Sequence, residues 1–126
     1  MEELDDYEQK LLEGWEEVTK KGQLTLWIML ALKEGPKHMS EIREFIHTAT
    51  SGALGADDKS LYRALRRYNE AEMVNFKTRP GTNGPDLKIY SLSRIGQKVL
   101  NQFIKRNFLD IFFKPDIKAL LERDIK

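Results

Sequence analysis

Lys59, Arg63, Arg66 and Arg67 place four cations within the nine-residue segment KSLYRALRR at 59–67, with no acid among them. Ser60 and Tyr62 lie between them and add hydroxyls able to bond phosphate oxygens or base edges. Lysine neutralises phosphate as a point charge, and arginine presents a donor fork that matches phosphate or a guanine edge. These residue types therefore suit a polyanion, and above all a DNA groove. To act together they must project from one rigid surface. Leu61, Ala64, Leu65, Tyr68 and Met73 recur at helical spacing, which predicts a helix over 58–72 with one face packed and the other basic. Asp57 or Asp58 is placed to cap its first turn.

Within this helix the roles divide. Tyr62 lies off the inward stripe, where its hydroxyl can reach a phosphate or its ring can half-pack on its own domain. Arg66 and Arg67 are adjacent, so they point in different directions and compete for one role on the ligand. Lys77, Arg79 and Lys88 flank the turn residues PGTNGPD at 80–86; they suit either phosphate contact or protection of exposed hairpin edges.

Catalysis has little support. His38 and His47 are nine residues apart, no carboxylates join them at ligand spacing, and cysteine is absent, so no metal centre, disulfide or cofactor is expected. The segment PGTNGP lacks the lysine and strand-to-helix setting of a phosphate loop and reads as a hairpin turn. Trp15 and Trp27 invite stacking on a planar effector, although Trp27 lies inside an apolar run and is most simply core.

The positioning elements follow from periodicity. LTLWIMLAL at 24–32 is too short to span a membrane and suits a buried helix, stopped by Glu34, Gly35 and Pro36. A second helix is expected from about His38 to Thr48 with Met39, Ile42, Phe45 and Ile46 inward, and a small-residue loop at 49–56 leads to the basic helix. Strands are expected at 74–79 and 87–92. Ser93 is placed to cap a fourth helix with Val99, Leu100, Phe103 and Ile104 as its stripe, and Pro115 breaks that helix or begins another.

At 126 residues, 40% apolar and 33% charged, the chain suits one domain with extensions. Its net charge of +1 is unevenly spread: residues 1–20 carry eight acids and two bases, and the remainder 19 bases and 12 acids. The acidic start forms an amphipathic helix through Leu4, Tyr7, Leu11, Trp15 and Val18, interrupted by Gly14. It serves as a dimerisation or partner-binding arm, or folds back on its own domain. Phe108, Leu109, Ile111, Phe112 and Phe113 are too apolar for free surface and need cover from this domain or a second chain. With no apolar leader or 20-residue apolar run, a cytoplasmic protein is expected.

The run from Gly22 to Leu100 resembles the PadR family of transcriptional regulators. The likeness rests on GPKHMSEI at 35–42, KSLYRALRRYNEAEMV at 59–74, GPDLKIYSL at 84–92 and SRIGQKVL at 93–100. It departs at Met39 and Ser40, where glycine then tyrosine is usual, and at Glu72 or Met73, where the family has a glycine turn. The resemblance implies a homodimeric DNA-binding repressor that responds to small aromatic molecules. Ser60, Tyr62 and Arg63 would then face DNA, and His38 would lie near the DNA backbone. The expected fold is mainly α with a small β-hairpin wing: a winged helix-turn-helix at 21–92, preceded by the acidic helix at 1–20. A C-terminal dimerisation region at 93–126 would complete it. Leu11, Trp15, Phe103, Phe108, Ile111, Phe112 and Leu120 are the candidate dimer contacts. Double-stranded DNA is the expected partner; the alternatives are a protein-association module or a small-molecule sensor of the same fold.

Overall fold

The structure, a computed structural model, describes residues 2–125. The apolar run at 24–32 lies within helix α2 (Gln23–Glu34), which buries Ile28, Met29, Ala31 and Leu32, with Trp27 half-buried at its edge. Lys37 finishes this helix by folding back. Its Nζ donates to the Ala31 carbonyl at 2.8 Å and pairs with Glu34 at 2.9 Å, placing a cation on the carbonyls that a helix C-terminus leaves unpaired. The Lys37 backbone exchanges hydrogen bonds with Tyr90, so the same residue ties the end of α2 to the hairpin.

Helix α3 (Met39–Ala49) is capped by His38, whose Nδ1 accepts the Glu41 N–H at 3.3 Å while Glu41 reaches back to the His38 N–H at 3.1 Å. Ile42 and Ile46 are buried, and Met39 and Phe45 are half-buried. The loop that follows contributes Leu54 to the core. Helix α4 (Asp58–Glu70) then buries Leu61, Ala64 and Leu65. Of the two possible caps, Asp57 fills the role, and Asp58 forms an ion pair with Arg43 of α3.

Helix α4 stops two residues before the expected end at 72. Glu72 takes φ +64°, the left-handed turn usually given to glycine, and the Met73 N–H closes on the Tyr68 carbonyl at 2.9 Å. The chain enters β1 (Val74–Arg79), which pairs antiparallel with β2 (Leu87–Leu92) in the register Val74–Leu92, Phe76–Tyr90, Thr78–Lys88. These pairs share one face of the hairpin, while Lys77 and Arg79 belong to the other.

Helix α5 (Arg94–Ile104) starts at the expected cap, Ser93. The Ser93 hydroxyl accepts the Gly96 N–H at 2.9 Å and donates to the Glu72 carbonyl at 2.6 Å. Its apolar stripe divides: Leu100 is buried and Ile104 half-buried, whereas Val99 and Phe103 remain exposed. A π-helical segment, Lys105–Leu109, continues into one turn, α6 (Asp110–Phe112), before Pro115 opens α7 (Pro115–Glu122) as its first residue.

The core is thus built by α2, α3, α4, the hairpin and α5. Helix α1 (Asp6–Lys20) is continuous through Gly14, with Asp5 and Glu8 forming a capping box, but it buries no residue. Neither do the elements after Ile104. Among the described residues, no helix is long and apolar enough to cross a membrane.

Candidate nucleic-acid interface

The geometry of α4 sorts the expected ligand-facing residues. At about 100° per residue, Lys59, Arg63 and Arg66 lie within roughly 60° of one another, opposite the buried Leu61, Ala64 and Leu65. Tyr62 lies on one flank and Ser60 and Arg67 on the other. All but Ser60 are exposed. Lys59 and Arg63 have no ion-pair partner among the described residues. Arg66 meets Glu70 at 3.3 Å in a fully solvated pair, which is a weak tie that an anion can displace.

Arg67 is turned away from this group. Its guanidinium lies 5.0 Å from the Tyr68 ring and donates to the Tyr68 hydroxyl at 3.3 Å, and that hydroxyl is bonded to Thr25 of α2 at 2.8 Å. Of the two rivals, the structure keeps Arg66 with Lys59 and Arg63. Ser60 is turned as well. Its backbone N–H, 2.7 Å from the Asp57 carboxylate, and then its hydroxyl hold that carboxyl below its ordinary value of 3.8, with Arg63 and Lys59 adding smaller electrostatic help. Ser60 thus sits beside the helix cap, which its backbone N–H completes.

Tyr62, 46% exposed, opens into a cleft of about 370 Å³ between the start of α3, α4 and the hairpin. The cap residue His38 and the first residues of α3, Met39 and Ser40, line it on one side, and Asp86, Leu87, Lys88 and Tyr90 of the hairpin on the other. His38 therefore stands beside Tyr62, but its Nδ1 is occupied by the cap. Burial raises the Tyr90 phenol above its ordinary 10.0, and neighbouring Tyr62 adds to the rise.

The three hairpin cations do not form one group. Lys77 and Arg79 share the outer face, while Lys88 belongs to the face that carries Phe76 and Tyr90. Its Nζ lies 4.7 Å from the Phe76 ring and 5.7 Å from the Tyr62 ring. Phe76 was legible only as a strand residue, and its part in this cluster depends on where the hairpin folds. The Arg43–Asp58 pair joining α3 to α4 was equally invisible.

The candidate dimer contacts stay largely uncovered. Leu11, Trp15, Phe103, Ile111, Phe112 and Leu120 are exposed and Phe108 is half-buried. No group of histidine, aspartate and glutamate capable of holding a metal occurs among the described residues.

Helices α2, α3 and α4, with α4 presenting its basic face beside a two-stranded hairpin, define a winged helix-turn-helix protein. The model of the transcriptional regulator PadR-like family matches residues 28–102, more than half the chain, and the chain belongs to that family. Its members are transcriptional regulators and not enzymes.

Solved structures share the fold at low identity. A PadR-like transcription factor from Bacteroides fragilis is 24% identical, with a TM-score of 0.64 over 78% of this chain and 91% of its own. A PadR family regulator from Eggerthella lenta, 16% identical, reaches a TM-score of 0.68 over 92% of this chain and 96% of its own. Bacillus subtilis PadR, solved in complex with operator DNA, is 18% identical with a TM-score of 0.59 over 64% of this chain and 47% of its own. No curated protein matches the sequence.

Proposed function

We propose that this protein is a homodimeric repressor of the cytoplasm that binds operator-type double-stranded DNA, with one α4 per subunit entering the major groove. The observation that carries this reading is the exposed set Lys59, Arg63 and Arg66 on a helix whose opposite side is core. Lys59 neutralises phosphate, Arg63 and Arg66 reach base edges, and the Tyr62 hydroxyl bonds the DNA backbone beside His38. Lys77 and Arg79 on the outer face of the hairpin add phosphate contacts. Ser60 and Arg67 support this surface from its flank. The complex of Bacillus subtilis PadR with operator DNA supports the same use of the fold here.

Residues 21–92 form the DNA-binding unit in this reading, and residues 1–20 and 93–126 supply the dimer. Leu11, Trp15, Phe103, Phe108, Ile111, Phe112 and Leu120 cover one another across the two-fold, which sets half-sites about one helical turn apart. A small aromatic effector has a place to act in the apolar cavity of about 260 Å³ between α2, the end of α4 and α5, lined by Leu26, Met29, Tyr68, Met73 and Phe103.

The test is selection of bound duplexes from a random pool, followed by titration of a selected site at several salt concentrations. Log affinity is expected to fall linearly with log salt, and Arg63→Ala to weaken binding by about 1–3 kcal/mol. No binding at low salt, or an Arg63→Ala variant equal to the parent, overturns the assignment of this face.

A further inference from the structure

We infer that Lys88 is a positioning residue, whose ammonium is held between the Tyr62 ring of α4 and the Phe76 ring of β1 and sets the angle of the hairpin against α4. The inference rests on the DNA-binding reading above and changes the part that Lys88 plays in it. Strand alternation separates Lys88 from the two cations of the outer face, Lys77 and Arg79, because Lys88 pairs with Thr78 in the register that also aligns Phe76 with Tyr90. On that face its Nζ meets two aromatic rings, at 4.7 Å and 5.7 Å, both within the range of cation–π attraction.

The base of the hairpin is already fixed. Tyr90 is 5% exposed, its backbone is bonded to Lys37, and its ring lies 5.8 Å from that of Phe76. Lys88 is two residues further toward the tip, where the strands have left the core: Lys88 and Thr78 opposite it are both exposed. Without a tie at this level the outer half of the hairpin is free to pivot about Tyr90. The ammonium supplies the tie to α4. Arg63 in the groove and Lys77 and Arg79 on phosphates must be satisfied together, so a drifting hairpin costs affinity even when every contacting cation is intact.

The two roles for Lys88 differ in how they depend on salt. A lysine that contacts phosphate releases a counterion, so its loss lowers the slope of log affinity against log salt by about 0.9. A lysine that only orients the hairpin leaves the slope unchanged. Lys88→Met keeps the length of the side chain and removes its charge. Titration of duplex DNA with Lys88→Met is expected to show a two- to fivefold loss of affinity at every salt concentration, the fold-change of an exposed cation–π contact, with the parent slope. Phe76→Leu, which removes no charge, is expected to give the same loss, and the double variant no further loss. A slope lower by about 0.9 in Lys88→Met, with Phe76→Leu equal to the parent, overturns the inference. A readout without DNA separates its failure from that of the DNA-binding reading. The Lys88 ε-methylene proton resonances are expected upfield in the parent, because the adjoining Nζ lies over two rings, and closer to ordinary positions in Phe76→Leu, which keeps only the Tyr62 ring. Ordinary positions in the parent refute the clamp whether or not the protein binds DNA, and an upfield shift in a protein that binds no duplex at low salt supports the clamp while refuting that reading.

Discussion

Gly96 is a position where two physical rules predict opposite signs. It lies in the first turn of α5, and replacing a helical glycine with alanine ordinarily stabilises by about 1 kcal/mol. Here an added Cβ would stand 2.1 Å from the Met73 carbonyl oxygen and 3.0 Å from its carbon, against the turn that links α4 to β1. That is about 1 Å inside ordinary carbon–oxygen contact. Both partners are backbone, so neither can rotate away. For Gly96→Ala to fold, α5 must withdraw from the turn and weaken the two bonds that dock it there, Ser93 N–H to Met73 at 3.0 Å and Ser93 hydroxyl to Glu72 at 2.6 Å. Each such bond is worth about 1 kcal/mol, and overpacking of this kind costs about 1–3 kcal/mol. Subtracting the gain in helix propensity leaves a net loss of about 2–4 kcal/mol. Urea unfolding followed by far-UV circular dichroism, at one fixed protein concentration because association shifts apparent stability, should show a midpoint lower by about 1 M or more with an unchanged slope. Gly14→Ala in α1 is the matched control. Nothing lies within 4 Å of its added Cβ, so it should gain up to about 1 kcal/mol. A Gly96→Ala protein as stable as the parent, or more stable, refutes the docking argument.

Two further outcomes follow from the ends of α4. Glu72→Gly should stabilise by about 0.5–1 kcal/mol, since glycine adopts the φ of +64° without a Cβ penalty, and Glu72→Ala should not; equal midpoints for the two variants would exclude backbone strain at this turn. The Asp57 carboxyl, held below 3.8 chiefly by the Ser60 N–H, stabilises the folded chain fully above that value, and its contribution disappears as pH falls through the lower folded value. Thermal melts from pH 7 to pH 3 should therefore show the difference between the parent and Asp57→Asn shrinking on acidification, and a constant difference would mean that the charge of the cap is irrelevant.

What could be read without coordinates was whatever repeats along the chain. Helix α4 announces itself because Leu61, Ala64, Leu65 and Tyr68 recur at helical spacing behind an aspartate cap, and the hairpin because two six-residue strands flank a run of turn residues. What stayed hidden was contact between residues far apart in sequence. Lys37 carries no mark that it will fold onto the Ala31 carbonyl and pair with Tyr90, nor does Gly96 show that Met73 will press against it. The end of α4 was placed two residues late for a related reason. The usual stop signal is glycine, and here a glutamate adopts the glycine conformation because the Met73 and Ser93 hydrogen bonds hold the turn in place. Polarity also failed to separate Arg66 from Arg67. Only the neighbouring ring of Tyr68, anchored by Thr25, shows which guanidinium is drawn aside.

The C-terminal aromatics show the same limit in the period itself. Phe103 and Phe108 are five residues apart, which on an α-helix puts them about 140° out of register, so the segment reads as apolar without a face. The π-helical turn at Lys105–Leu109 closes i to i+5 and brings the two rings to 6.2 Å, and Phe108 and Phe112 then follow at 6.0 Å. Three phenyl rings form one seam, held at its turn by the Lys105–Asp110 ion pair and the Asn107 bond to the Phe103 carbonyl. The rest of this domain lends the seam little cover, since Phe103 and Phe112 are 46% and 40% exposed. The offset of about 140° between Phe103 and Phe108 is thus itself a signal. It is what a helix with one inserted residue looks like when its aromatic side chains meet in one seam.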